Sequence, residues 1–402
     1  MDVILEVFIV FAGAKAAGEL FVRLRQPALA GELLVGALVG PHVLGWVHLG
    51  QAMEVLSQLG IVVLLFTAGL ESPISDLLAV GRAAVLASMG GVVLTFGASF
   101  AVLAALGIAP ELAAPAALAL SASSVGIAAR AFGDLGALRS RSARVVLGAA
   151  VVDDVVVLAA LPLALRAGSG GSTGSVVAGI VGAVAFVVAL SLIGPRVARR
   201  HGGAILEIPR IRRSPFVLAL VLCLGLAVLA DRVGLAALIG AFLAGMILAE
   251  TDQRRSLERQ MEPLFDLLVP FFFVVSAARV DPGALDDAGV GFLAAVIAVG
   301  LLAKPLGVVA GAMGLALRER LATAGGMLPR GEVTLAVAAG GLAAAGKGSP
   351  PELYAALVAV VLVSTLLAPI LLQVALPPAD RGATAPRPEI PPEAFEVEDE
   401  DE

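Results

Sequence analysis

The chain has 402 residues, 59% of them hydrophobic and only 15% charged, with 46 glycines besides. An ordinary soluble domain carries about 25% charged residues, so this composition cannot cover a water-facing surface and excludes a soluble globular protein. The formal charge of −6 belongs to the end of the chain: Glu389 to Glu402 hold eight acids and no base, and without them the balance is +2.

The apolar runs are roughly 20 residues long, the length a helix needs to cross a hydrocarbon layer of ~30 Å. The alternating ~10-residue segments of an outer-membrane barrel do not occur. The reading is an all-α polytopic membrane protein. Thirteen spans are expected, at about 2–22, 28–47, 53–70, 81–106, 111–132, 142–165, 174–194, 214–230, 233–249, 261–278, 288–316, 321–345 and 352–376. The first opens on Met-Asp with no basic segment and no small-residue cleavage site, and so reads as a retained helix rather than a removable signal. Cys223 is the single cysteine and lies inside a span, which leaves no disulfide framework.

Orientation follows from the basic residues. With the N-terminus outside, 20 of the 27 fall at one set of alternate connections and four at the other, the remaining three lying within spans. Such a bias places the arginine-rich side in the cytoplasm. The N-terminus is then outside and the C-terminus cytoplasmic. The acidic segment 377–402 reads as a disordered cytoplasmic tail.

Two spans depart from the ordinary pattern. Residues 118–126 read Leu-Ala-Leu-Ser-Ala-Ser-Ser-Val-Gly, and 325–333 read Gly-Gly-Met-Leu-Pro-Arg-Gly-Glu-Val. Proline removes a backbone donor and glycine loosens the helix, so each segment is expected to break near mid-membrane. Irregular backbone at that depth needs protein or a water-filled cavity around it. A pair of interrupted spans, one in each half, points to the binding site of a secondary transporter.

Ionisable groups at bilayer depth cost about 2.5–3.5 kcal/mol each, which makes them functional candidates. Here they are Asp153 and Asp154 in the sixth span, Lys304 in the eleventh, and Arg330 with Glu332 in the twelfth. Adjacent residues on a helix do not share a face, so one aspartate can meet a partner while its neighbour meets a cavity. Lys304 is one of three lysines against 24 arginines, and a buried amine of this kind can exchange a proton with a buried acid. Arg330 and Glu332 are expected to neutralise one another and the loose backbone beside the break, as a supporting charge pair. Lys15 and Glu19, at i,i+4, are expected to be a self-neutralising pair or snorkelling side chains, and His42 and His48 to sit in a solvated loop. Gly36 and Gly40 fit close helix packing. No metal-ligand cluster, nucleophile triad or basic aromatic patch appears, so an enzyme and a nucleic-acid-binding protein are both disfavoured.

The motif set resembles a known family. Gly-Glu-Leu-Leu-Val-Gly-Ala-Leu-Val-Gly-Pro (31–41), Leu-Leu-Phe-Thr-Ala-Gly-Leu-Glu (64–71) and Ser-Ala-Ser-Ser-Val-Gly-Ile-Ala-Ala-Arg (121–130) are similar to hallmarks of the monovalent cation–proton antiporter superfamily, in its bacterial second branch. Asp153-Asp154, Pro263-Leu-Phe-Asp266, Pro270-Phe-Phe-Phe273, Lys304 and Arg330-Gly-Glu332 continue the resemblance in family order across residues 1–376.

That resemblance implies a homodimeric sodium/proton antiporter with thirteen helices, inverted repeats and two broken crossover helices. Residues 1–70 and 214–280 would form a dimerisation domain, 81–166 and 288–376 a core that moves as an elevator, and 174–200 a linker helix. Asp154 would bind the sodium ion and release the proton, with Asp153 contributing to the same Na⁺ site as partner of Lys304. Ser123 and Ser124 would lie at the crossover. An Asp at position 153 together with Lys304 resembles the electrogenic class, whereas electroneutral relatives carry Asn there. The chain ends about 25 residues after its last span, unlike potassium-efflux relatives with a cytoplasmic nucleotide-binding domain. No cofactor is expected beyond the transported Na⁺ and H⁺, and membrane lipid is the expected surrounding. K⁺/H⁺ exchange through the same residues is the nearest alternative, with a non-transporting sensor or a channel behind it.

Overall fold

A computed structural model of the chain describes residues 3–24, 26–71, 81–138, 140–168, 214–232, 237–344 and 350–376. Among these residues all regular structure is helical. The helices are α1 (Val3–Arg23), α2 (Ala28–Val39), α3 (Gln51–Glu71), α4 (Arg82–Ala105), α5 (Pro110–Ala119), α6 (Val125–Asp134), α7 (Arg141–Gly168) and α8 (Ser214–Arg232). They continue with α9 (Ala237–Ala249), α10 (Arg254–Ala278), α11 (Pro282–Gly311), α12 (Leu317–Gly326), α13 (Glu332–Ala344) and α14 (Pro351–Ala375). Seven of the described helices are long and apolar enough to cross a membrane. The expected seventh span, 174–194, the linker segment 174–200 and the tail 377–402 lie outside the described residues.

The second span is shorter than its apolar run. Expected over 28–47, the helix stops at Val39 after 12 residues, and the chain turns through Gly40 and Pro41. At 1.5 Å per residue it reaches about 18 Å, well short of the ~30 Å layer. Pro41 has no amide hydrogen to continue the ladder, and Gly45 takes the left-handed conformation at φ 64° that completes the turn. The tenth span errs the other way, starting at Arg254 rather than near 261. In α11 the helix is kinked at Gly289, whose φ of 80° is closed to ordinary residues.

The helices pack in two groups. In one, α3 lies against α9 and α10, α2 against α1 and α10, and α8 against α9. In the other, α4 lies against α11, α5 and α7, and α14 against α11 and α12. Among the described residues the groups meet through α2 with α14 and through α3 and α10 with α13, and they share a buried apolar cluster in which Leu64, Phe242 and Phe273 lie with Leu118, Leu161 and Leu357. The closest approach in the second group is between α4 and α11. A Cβ on Gly307 would overlap the Gly90 carbonyl oxygen, and one on Gly311 would meet the Leu86 carbonyl. Glycine at these positions lets the two backbones touch, which places side chains of α4 within reach of Lys304.

The fifth and twelfth spans are each divided. After Ala119 the chain leaves the helix through Leu120–Ser123 and restarts at Val125, with the Ser124 hydroxyl capping α6 by accepting from the Ile127 amide at 3.4 Å. After Gly326 it runs through Met327–Gly331 and restarts at Glu332. The two breaks meet: the Ser124 amide donates to the Pro329 carbonyl at 2.9 Å, and the Ser123 hydroxyl oxygen lies 3.2 Å from the Met327 carbonyl oxygen. Two helix C-terminal ends and two N-terminal ends therefore converge on one crossing.

Candidate functional site

Asp153 and Asp154 sit mid-length in α7, beside this crossing. Asp153 is fully buried and its carboxylate is saturated. Its Oδ1 accepts from the Ser88 hydroxyl of α4 at 2.7 Å, while Oδ2 accepts from the Ser123 hydroxyl at 2.8 Å and from Lys304 Nζ at 2.5 Å. Lys304 is also fully buried and donates a second bond, at 2.5 Å, to the Ser121 carbonyl freed by the break after α5. A buried ion pair persists only when its remaining lone pairs and protons are met in this way.

Asp154 is in the opposite state. It is 3% exposed, and its Oδ1 is buried without a hydrogen-bond partner among the described residues. It lines a cavity of about 420 Å³. Ser124 and Glu332 line it from the crossing, Thr67 and Glu71 from α3, and Arg130 from α6. The charged groups nearest Asp154 are Glu332, Asp153 and Lys304. A carboxylate with an unmet oxygen, beside a cavity and a hydroxyl, has the chemistry to hold either a proton or a small hard cation, which takes oxygen ligands. Among the described residues no group of three or more His, Cys, Asp or Glu could hold a resident metal.

Arg330 and Glu332 do not form the expected pair. The buried Arg330 guanidinium instead donates to the carbonyls of Met327 at 3.2 Å, Leu328 at 3.0 Å and Gly300 at 3.0 Å. Its backbone is held by α14, with the Arg330 amide donating to the Ser364 hydroxyl at 3.1 Å and the Thr365 hydroxyl to the Arg330 carbonyl at 2.8 Å. Glu332, two residues on, opens α13 and turns toward the cavity, accepting from the Ser124 hydroxyl at 3.0 Å. The physical reason is the break itself. The end of α12 leaves carbonyls without helical partners, which a five-donor guanidinium satisfies, and a carboxylate is favoured at the first turn of α13.

Other expectations shift in the same way. Lys15 pairs with Asp266 of α10 at 3.0 Å, and Glu19 takes Arg23 at 2.8 Å. His48 contacts Glu6 at 3.0 Å, and His42 approaches Asp281 at 3.7 Å, so both loop histidines have carboxylate neighbours. Gly36 and Gly40 do stand in close helix contact, against Val274 and Ala278 of α10.

The structure thus gathers Asp153, Asp154, Lys304, Ser123, Ser124 and Glu332 around the crossing, with Arg330 behind it. Sequence reading missed Ser88. The available signal was a hydroxyl within an apolar run, three residues before a glycine, but serine is inexpensive in a membrane helix and carries little weight alone.

The chain is similar in sequence and in fold to known cation–proton antiporters. The sequence profile of the family described as "Sodium/hydrogen exchanger, transmembrane" matches residues 7–376. The chain is 30% identical over 387 residues to the Na⁺/H⁺-K⁺ antiporter GerN of Bacillus cereus, covering 94% of this chain and 98% of that protein. It is 32% identical over 413 residues to the high-affinity Na⁺/H⁺ antiporter NhaS3 of Synechocystis, covering 91% and 88% respectively. Its fold matches the sodium proton antiporter MjNhaP1 of Methanocaldococcus jannaschii with a TM-score of 0.73 at 18% identity, over 93% of this chain and 99% of that one.

Proposed function

This chain belongs to the sodium/hydrogen exchanger family, and we propose that it exchanges Na⁺ for H⁺ at Asp154 by alternating access. The observation that carries this reading is the contrast between two consecutive carboxylates. Asp153 is filled by three donors, and Asp154 faces a cavity with an unmet oxygen. A site that accepts one cation at a time, Na⁺ or H⁺, couples their movements without further machinery. Ser124 is placed to help hold the ion, and Ser123 keeps Asp153 in position. No cofactor enters this reading, because both ions are cargo.

Three finer features belong to the same proposal. Exchange is electrogenic, because the Asp153–Lys304 pair supplies a second proton-carrying group beside Asp154. The group of α4–α7 and α11–α14 moves as an elevator core against a dimerisation domain of α1–α3 and α8–α10. The cavity, lined from both groups, supports this division. The protein sits as a homodimer in a bacterial inner membrane with its C-terminus cytoplasmic, and the cavity then opens inward, since Glu71 and Arg130 fall on the arginine-rich side.

The deciding experiment reconstitutes the purified chain in liposomes and measures proton flux against gradients of Na⁺, Li⁺ and K⁺. Na⁺-driven proton movement is expected; no flux with any cation would overturn the reading. A second reading, K⁺/H⁺ exchange, is favoured by one observation: the relative GerN is named for K⁺ as well as Na⁺. Flux driven by K⁺ in preference to Na⁺ would select it.

A further inference from the structure

Between α2 and α3 the chain passes through residues 41–50 without regular structure, and three large apolar side chains there stand in the open. Trp46, the single tryptophan of the sequence, is 52% exposed, and Val43 and Leu44 are about as exposed. The loop is nonetheless firmly mounted. Its Leu44, Gly45 and Val47 amides donate to the Leu38, Gly40 and Val39 carbonyls at 3.0, 2.9 and 3.0 Å. Val47 is fully buried in an apolar cluster with Val10 of α1 and Phe271 of α10, and His48 meets Glu6 of α1 at 3.0 Å. These bonds satisfy backbone groups that lipid cannot satisfy, so the exposed side chains project from a fixed base.

The helices on either side give the depth of that base. α3 begins at Gln51, directly after the loop, and its 21 residues reach about 31 Å, the thickness of the hydrocarbon layer. Its first turn therefore marks one boundary of that layer. α2 runs toward the same boundary and, with 12 residues and about 18 Å, stops roughly 12 Å short of it. The loop occupies that interval. Exposed Leu38 precedes it on α2, and exposed Val55 and Leu59 follow on α3, so the projection continues an apolar surface on both flanks. An indole has a broad apolar body and one N–H donor, and the Trp46 N–H meets no acceptor among the described residues.

We propose that the 41–50 loop is a lipid-docking surface, in which Val43, Leu44 and Trp46 enter a phospholipid leaflet together at the boundary between headgroups and acyl chains. Val43 and Leu44 meet the upper part of the chains. The indole lies across the boundary with its N–H toward ester or phosphate oxygens, the setting in which membrane tryptophans concentrate. The other candidate occupant is a second copy of this chain; the depth of the loop and the unmet donor beside apolar neighbours favour lipid. Through Val47 and His48 the loop is fastened to α1 and α10, so it holds that group of helices at a set depth. None of this depends on which ion the protein carries.

The test places the whole protein in phosphatidylcholine nanodiscs, which leave both faces open to the buffer, and reads the emission of Trp46 alone. Emission is expected at shorter wavelength than that of tryptophan in water. Lipid brominated near the head of its acyl chains should remove most of it, lipid brominated at the chain ends clearly less, and iodide in the buffer little. Quenching by iodide without quenching by bromine would place the loop in water, and quenching by neither would place it under protein, a second copy of the chain included. Either result overturns the proposal, and both are read on the parent protein, whatever the variants do. Val43→Asn combined with Leu44→Asn should weaken the quenching by head-region bromine and admit iodide; unchanged quenching would mean that Trp46 enters alone and would overturn the three-residue surface. Leu138→Asn, at an exposed apolar side chain beyond α6, should leave the quenching as it is, and an equal loss there would also overturn the proposal. Ion flux separates this inference from the exchange reading: a chain that moves no cation can still dock, and a working antiporter whose Trp46 stays in water loses the docking surface alone.

Discussion

Asp153 and Asp154 are joined by one peptide bond, yet the first holds three donors and the second, beside a cavity, leaves its buried Oδ1 without a partner among the described residues. A helix turns ~100° per residue, so consecutive side chains enter different surroundings, here the packed face toward α4 and α11 and the open face toward α3. Roles can then be separated by substitution. Asp154→Asn keeps the volume and removes the exchangeable proton and the charge. Na⁺-driven proton flux should fall to the level of empty liposomes, while the elution volume of the purified protein and its melting temperature stay near those of the parent. Normal flux would show that the ion binds elsewhere.

Lys304 is tested by voltage. If two protons return for each Na⁺, one net charge crosses per cycle, and ~150 mV then supplies about 3.5 kcal/mol at ~2.3 kcal/mol per 100 mV. With K⁺ and valinomycin clamping the potential, an inside-negative voltage should speed Na⁺ extrusion in the parent. Lys304→Gln removes the second proton carrier, so exchange that survives should ignore the clamp. A parent protein indifferent to voltage would make Asp153 and Lys304 a structural pair and the stoichiometry one for one.

Arg330 is tested by stability. Arg330→Ala strips the carbonyls of Met327, Leu328 and Gly300 of a shared donor, at about 1–3 kcal/mol for each buried group left unmet. A loss on the order of 3 kcal/mol is expected, read as a lowered melting temperature in detergent. Glu332→Gln should change stability little. Because the two side chains hold different partners, their double-mutant coupling should lie below about 0.5 kcal/mol. A coupling of several kcal/mol would mean that they pair after all.

Topology is tested at the far end of the chain. Twenty of 27 basic residues fall on one side, so a reporter fused after Arg387 should behave as cytoplasmic. Alkaline-phosphatase activity from that fusion would place the tail outside and overturn the span count.

Much of the architecture was legible because membrane depth imposes strong rules. Apolar runs of fixed length mark helices, and charges inside them are rare enough to stand out, which is how Asp153, Asp154 and Lys304 could be read. The serine-rich segment and the Pro-Arg-Gly segment were legible as interruptions because proline and glycine act locally. Partner choice was not legible. Arg330 and Glu332 are near in sequence and opposite in charge, but the carbonyls orphaned by a helix end compete for a guanidinium, and only the folded chain shows which claim prevails. Ser88 stayed hidden for a related reason: its bond to Asp153 crosses 65 positions of sequence. The end of α2 was misplaced because hydropathy continues past Gly40 and Pro41 while the backbone cannot.

The crossing of the two breaks has an electrical consequence. α5 and α12 end there and α6 and α13 begin there, bringing two half-negative and two half-positive helix termini together. Ends of opposite sign brought near one another offset each other in part, so their joint potential falls off faster than that of one helix end. A lone terminus beside the site would raise or lower the affinity for every cation by a fixed amount. The paired ends largely cancel, so the backbone near Asp154 favours neither an empty nor an occupied carboxylate. Binding strength is then left to the carboxylate and its few hydroxyl neighbours, which suits a site that must let go of each passenger as readily as it takes the other.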